Sequence, residues 1–153
     1  MIEKCSRDNF FNISQYSLIF LPMLAVYLPT VFYPVTDEIG GNVPFRPPGY
    51  VFAIVWPILL FLLGISWFVR RKKGMIINLI YTLLIILLGI WFILYDNNKY
   101  IGVVDIVFCF LITLYLFFYD FKKFNKYASL TLIPLLVWLL FASILNVAAI
   151  TYS

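Results

Sequence analysis

No histidine occurs in the 153 residues of this chain. Histidine-ligated haem, histidine-based catalytic triads and most zinc sites are thereby excluded. Cysteine is nearly as scarce. Cys5 sits in a polar N-terminal stretch and Cys109 in the middle of an apolar run, so no disulfide framework is visible. No glycine-rich phosphate loop occurs, and the Gly40–Gly41 pair reads as a turn. Charge is thin throughout: 12% of residues are Asp, Glu, Lys or Arg, against about 25% in an ordinary soluble domain.

What fills the chain instead is apolar: 64% of residues are hydrophobic and the mean hydropathy is +1.00. A water-soluble fold this small could not hide so much apolar surface, because small domains keep a large surface for their volume. Lipid must be the solvent for most side chains. A span needs roughly 20 apolar residues to cross a hydrocarbon core about 30 Å thick. Five segments qualify, near 14–34, 48–69, 75–95, 100–119 and 127–151. The reading is an all-α integral membrane bundle of five transmembrane helices, a single domain over 1–153 with nothing left over for a soluble one. The joints are short and polar, so consecutive helices are expected to pack as antiparallel neighbours. Pro22 and Pro29 interrupt the first segment and no small-residue cleavage site follows it, so it reads as a retained helix rather than a signal peptide.

The net charge of +4 does not mark a nucleic-acid binder. With five spans, the N-terminus and loops 70–74 and 120–126 share one side of the membrane. That side carries nine of the eleven basic residues, leaving only Arg46 and Lys99 opposite. The positive-inside rule then places the N-terminus in the cytoplasm and the basic loops against the anionic headgroups of the bilayer. The run Arg70–Lys73 is read as a stop at the headgroups, and Trp67 and Tyr95 as interfacial belt residues.

Residues that a purely greasy span would not need carry the remaining information. In the fourth span Asp105, Cys109 and Thr113 fall at i, i+4 and i+8, one stripe that should face the bundle interior. Asp105 reads either as an interfacial carboxylate favoured by the helix dipole or as a polar group lining a cavity. In the fifth span Pro134, Trp138, Phe141, Ala142, Leu145 and Asn146 share a face. That face suits a helix-packing seam or a ligand wall. In the second, Phe52, Trp56, Leu60, Leu63, Gly64 and Trp67 share a face behind the stiff Pro47–Pro48 pair. Gly64 admits a close helix neighbour. Trp56 lies about two turns into the helix, too deep for an interfacial belt.

The stretch "FRPPGYVFAIVW" at 45–56 resembles the second-helix signature of the tryptophan-rich sensory protein family, also called the translocator protein or peripheral benzodiazepine receptor family. That pattern is roughly W-x-P-P-x-W-V-x-x-x-V-W. Pro47, Pro48, Val51, Val55 and Trp56 fit it, Gly64 fits its continuation, and Phe45 and Tyr50 stand where it has tryptophan. "VVD" at 103–105 is similar to the family's fourth-helix V-D, and "IPLLVWLLFASILN" at 133–146 to its fifth-helix P-Y-L-x-W-x-x-F-A-x-x-L-N. The resemblance covers about residues 15–150 and all five spans in order. It implies a five-helix bundle, often a homodimer, whose pocket binds hydrophobic planar molecules such as porphyrins and sterols. No cofactor is required; a tetrapyrrole is the implied ligand. Carried onto this sequence, it implies that Trp56, Trp138, Ala142 and Asn146 line the pocket and that Pro47 and Pro48 help cap it, with the aromatic faces of the second and fifth helices becoming its walls.

Two departures narrow the expectation. Counting back from Asp105, Ile86 stands where the family's third helix has an asparagine. No Lys or Arg follows Lys126, so the family's C-terminal cholesterol-recognition segment has no counterpart, which favours porphyrins over sterols. The leading reading is a membrane receptor or carrier rather than an enzyme, since no acid–base constellation is present. Its competitors are a light- or oxygen-dependent porphyrin-degrading enzyme working through Trp138, and a structural membrane protein without a ligand.

Overall fold

The computed structural model describes residues 2–33, 41–123 and 126–152, with side chains from residue 16 onward apart from Asp120 and Lys123. Every regular element among them is a helix: α1 Ile2–Phe32, α2 Gly49–Arg70, α3 Met75–Asn97, α4 Lys99–Lys123, α5 Lys126–Leu130 and α6 Ile133–Thr151. α2, α3, the Lys99–Tyr119 part of α4 and the combined Lys126–Thr151 segment are each long and apolar enough to cross a membrane, and Tyr16–Phe32 adds a shorter apolar helix. The fold is an all-α membrane bundle. Helices are what the composition demands, because in hydrocarbon each backbone N–H and C=O must find its partner within the chain.

Four boundaries differ from the sequence reading. The second span begins after Pro48, not on it: Pro48 has extended backbone and stands as the N-cap of α2. The third joint shrinks to the single residue Asn98, whose side-chain oxygen accepts the Tyr100 N–H at 2.9 Å and caps α4. The last span is broken into α5 and α6 by a turn at 131–132. Pro134 sits in the first turn of α6, where a missing N–H costs nothing, and it has no donor for the Leu130 carbonyl that a continuous helix would require. The first helix also starts well before residue 14, because the polar N-terminal residues continue its helical backbone.

Around the bundle α1 packs against α2 and α3, α3 against α4, and α4 against α6, while α2 and α6 touch only lightly. Glycines set the tight contacts. A Cβ added at Gly64 would fall on the Ile19 carbonyl oxygen of α1, and one at Gly89 would come within 2.9 Å of the Ala25 carbonyl oxygen. α1 thus lies across two side-chain-free notches, one on α2 and one on α3.

The end near the α2–α3 loop is closed by polar contacts. The Ser66 hydroxyl pairs with the Tyr81 hydroxyl at 2.7 Å and donates to the Ala128 carbonyl at 3.2 Å, joining α2, α3 and α5. Trp67 is no belt residue. It is buried, stacked on Tyr81 with 6.3 Å between ring centroids, and its indole N–H donates to Asn78 Oδ1 at 3.0 Å. Nor does Arg70 stop at the headgroups: it is 1% exposed, whereas Lys72 and Lys73 are exposed. Leu63, Ser66, Trp67 and Arg70 fall at i, i+3, i+4 and i+7, so Arg70 shares their inward face. Ser66→Ala is expected to lower stability by about 1–2 kcal/mol, since it leaves the buried Tyr81 hydroxyl short of a partner, while the Ala128 carbonyl keeps the Thr131 hydroxyl. Thermal unfolding in detergent checks this. Adding Tyr81→Phe to Ser66→Ala should cost little more, because the orphaned hydroxyl goes with it.

Candidate functional site

The weak α2–α6 contact leaves room at the opposite end, where the chain enters α2 and leaves α6. A cavity of about 480 Å³ occupies it, bounded by all five spans, within the roughly 300–1,000 Å³ usual for small-molecule sites. One wall is aromatic and comes from α2 and α6. Trp56 and Trp138 meet edge to face with 6.4 Å between ring centroids, and Phe52 meets Trp138 at 5.5 Å. The facing wall comes from α3, through Leu88, Trp91, Phe92 and Tyr95, and from α1, through Val26, Tyr27 and Thr30. The two indoles expected from the sequence to form separate walls therefore touch each other and build one. Trp56, Trp91 and Trp138, three of the chain's four tryptophans, line this space.

The loop before α2 closes the mouth. Val43 is buried against Tyr95, Leu145 and Ala149, and its carbonyl accepts the Arg46 N–H at 3.1 Å. Arg46 and Gly49 lie on the cavity rim, with the Arg46 guanidinium carbon 5.7 Å from the centre of the Phe52 ring. That is within cation–π range of about 6 Å.

Of the residues singled out from sequence, Phe52, Trp56, Trp138, Ala142 and Asn146 come together in the lining. Pro47 and Pro48 do not; Pro47 half-buried and Pro48 exposed, they carry the chain between Arg46 and Gly49, which do. Asp105 is also outside the lining. It is 6% exposed on the inward stripe of α4 with Cys109 and Thr113, its Oδ2 has no hydrogen-bond partner among the described residues, and its neighbour Ile106 is the one that reaches the cavity. Phe45 and Tyr50, which replace tryptophans of the family pattern, are exposed and not part of the lining. Ile86 is 52% exposed, so the asparagine missing there is missing from the outer surface.

Arg46, Trp91 and Tyr95 were not anticipated. Leu88, Phe92 and Tyr95 stand at i, i+4 and i+7 on α3, a stripe that periodicity could have shown. Tyr95 was misread as interfacial because it ends a helix, yet it is buried beneath Val43. Nothing in the sequence places Arg46 at a cavity, since a loop residue has no periodicity to follow.

The lining is apolar with a few polar atoms in reserve. Asn146 donates through Nδ2 to the Ala142 carbonyl at 2.7 Å. Its Oδ1, the indole N–H groups of Trp91 and Trp138 and the Tyr95 hydroxyl have no hydrogen-bond partner among the described residues. This mixture of aromatic surface and sparse polar groups is typical of sites for small apolar molecules.

A profile of the TspO/MBR family matches residues 41–151, which takes in the mouth loop and α2 to α6. The chain belongs to the TspO/MBR family. It is also similar to the tryptophan-rich protein TspO of Archaeoglobus fulgidus, 32% identical over 110 residues that make up 68% of this chain and 71% of the relative. Family membership, with the apolar helices, makes this an integral multi-pass membrane protein and supports a receptor- or transporter-type role. The match contains every cavity residue except those of α1.

Proposed function

We propose that this TspO/MBR protein is a membrane receptor or carrier that takes up a flat hydrophobic molecule, a porphyrin above all, in the cavity between α1, α2, α3, α4 and α6. The observation that carries the reading is the edge-to-face pair of Trp56 and Trp138, set with Phe52 along one wall of a 480 Å³ space. Rings held edge to face present a broad aromatic surface, and a planar ligand laid against it gains both burial and stacking. The four polar atoms without partners support the same reading, because each would cost about 1–3 kcal/mol if left permanently unmet. A ligand bearing ring nitrogens and carboxylates offers partners to them.

Three cavity tryptophans make binding optically visible. Titration of the purified protein with protoporphyrin IX is expected to quench tryptophan fluorescence saturably, and Trp56→Phe and Trp138→Phe should each reduce the quenching. Quenching equal to that of an unrelated membrane protein, or unchanged in both variants, would overturn the proposal.

A further inference from the structure

We infer that the seam between α1 and α2 is a lateral portal, gated by Tyr27 and Ala53, through which the cavity exchanges its ligand with one leaflet of the bilayer. This rests on the ligand-binding reading and adds the route by which the ligand enters and leaves.

α1 does not follow α2 along its whole length. Near the 70–74 loop the two helices are pressed together. The Ile19 carbonyl lies over Gly64, and Tyr16 and Phe20 of α1 meet Phe68 and Phe61 of α2 with 5.2 and 5.8 Å between ring centroids. Less than two turns further on, α1 rests on α3 instead, with the Ala25 carbonyl over Gly89. The helix thus crosses from α2 to α3 as it approaches the cavity.

Burial on α2 follows that crossing. Gly49, Ala53, Trp56, Leu60 and Gly64 fall at i, i+4, i+7, i+11 and i+15, on one face. Leu60 and Gly64 are buried, whereas Gly49 and Ala53 are exposed although they line the cavity. With Ile19 opposite Gly64 in an antiparallel pair, eight residues along each helix bring Tyr27 opposite Trp56, and eleven bring Thr30 opposite Ala53. All four line the cavity. Tyr27, Gly49 and Ala53 are the exposed members of that lining among the described residues, while those of α3, α4 and α6 are buried or half-buried. The seam on the other side of α2 is bridged by Trp138 against Trp56 and Phe52. The opening is therefore on the α1 side.

Its height makes it a way into lipid rather than water. Ala53 lies four residues beyond Gly49, where α2 starts, and Tyr27 five before Phe32, where α1 ends. These steps set the portal about 6 Å to about 7.5 Å below the helix ends. The end itself is stopped by Val43, buried against Tyr95, Leu145 and Ala149. Thr30 donates its hydroxyl to the Tyr27 carbonyl of its own helix at 2.7 Å, so it leaves no unmet donor in the seam. Two helices can part without exposing unpaired backbone groups to hydrocarbon, because each keeps its own hydrogen bonds. Pro29, between Tyr27 and Thr30, has no N–H for the Ala25 carbonyl and weakens α1 at this level. An apolar molecule that enters here from the bilayer never crosses water, which spares it about 25 cal/mol for each Å² of apolar surface.

A gate and a wall leave different kinetic marks. Widening a gate speeds entry and release together, whereas removing a wall contact speeds release alone. Association and release of protoporphyrin IX should be followed by stopped-flow tryptophan fluorescence on the full chain in nanodiscs of neutral lipid, with the signal of empty nanodiscs subtracted. Tyr27→Ala, which keeps every tryptophan, is expected to raise both rate constants about fivefold or more, and Ala53→Phe to lower both about tenfold. A melting curve shows whether Ala53→Phe is folded; if it is not, Tyr27→Ala decides alone. Val43→Ala loosens the end of the bundle and should speed association less than Tyr27→Ala does. The inference is overturned if Tyr27→Ala speeds release but not association, if a folded Ala53→Phe associates as fast as wild type, or if Val43→Ala speeds association more than Tyr27→Ala. No saturable binding by the wild type would instead sink the receptor reading itself.

Discussion

Gly64→Leu is expected to abolish the native packing of α1 rather than soften it. The position faces α1 so closely that even a methyl group would land on the Ile19 carbonyl oxygen. The obstacle is backbone, so no rotamer change on the partner can make way. Overpacking in a core that can relax costs about 1–3 kcal/mol; here a whole helix must move. α1 also rests on Gly89 of α3, so its displacement strips contacts from a second helix and carries Val26, Tyr27 and Thr30 away from the cavity. The expected results are a sharp fall in folded yield and a large drop in melting temperature in detergent. Gly64→Ala should be intermediate, because a single methyl still demands a shift of α1. A wild-type-like melting curve for Gly64→Leu would show that this helix contact is not what the structure describes.

The second large effect concerns the ligand. Trp138→Ala removes the ring that meets Phe52, Trp56 and Phe141 at once, with centroids at 5.5, 6.4 and 5.5 Å. It is the only ring of α6 in the lining, so its loss opens the aromatic wall where α2 and α6 face each other. A stacked indole contributes through buried area and a ring–ring term of about 0.5–1.5 kcal/mol. Together they amount to roughly 2–3 kcal/mol, about a 30- to 150-fold weakening of porphyrin binding. Trp138→Phe keeps an aromatic surface and should weaken binding far less. Direct titration followed by porphyrin absorbance separates the two, since it does not depend on the tryptophan being removed. Trp67→Phe is the control: Trp67 belongs to the packed core, so it should change stability more than affinity. Equal affinities for wild type and Trp138→Ala would remove the aromatic wall from any role in binding.

How far the site was legible depended on whether a residue sat on a helix with a clear period. Phe52 and Trp56 on α2, and Trp138, Ala142 and Asn146 on α6, could be placed together because steps of three and four residues put them on one face each. The family resemblance then said that these faces meet. Periodicity cannot say what a face meets, and there the reading slipped. Trp67 and Tyr95 looked interfacial because they end helices, yet neighbouring elements cover both. Asp105 reads from sequence either as an interfacial carboxylate or as a cavity residue, and inward on α4 means packed beside the cavity and not open to it.

By itself the sequence determined the solvent, the apolar helical segments and the inward faces of the second, fourth and fifth of them. Those follow from local quantities: the length of apolar runs, the scarcity of charge and the spacing of the residues that break the pattern. Only the tertiary structure decided that two glycines let α1 lie close to α2 and α3, that α2 and α6 stay apart, and that Val43 and Arg46 close the resulting gap. These are contacts between residues far apart in the chain. They depend on which helices are neighbours and at what distance, and no window along one helix contains that information.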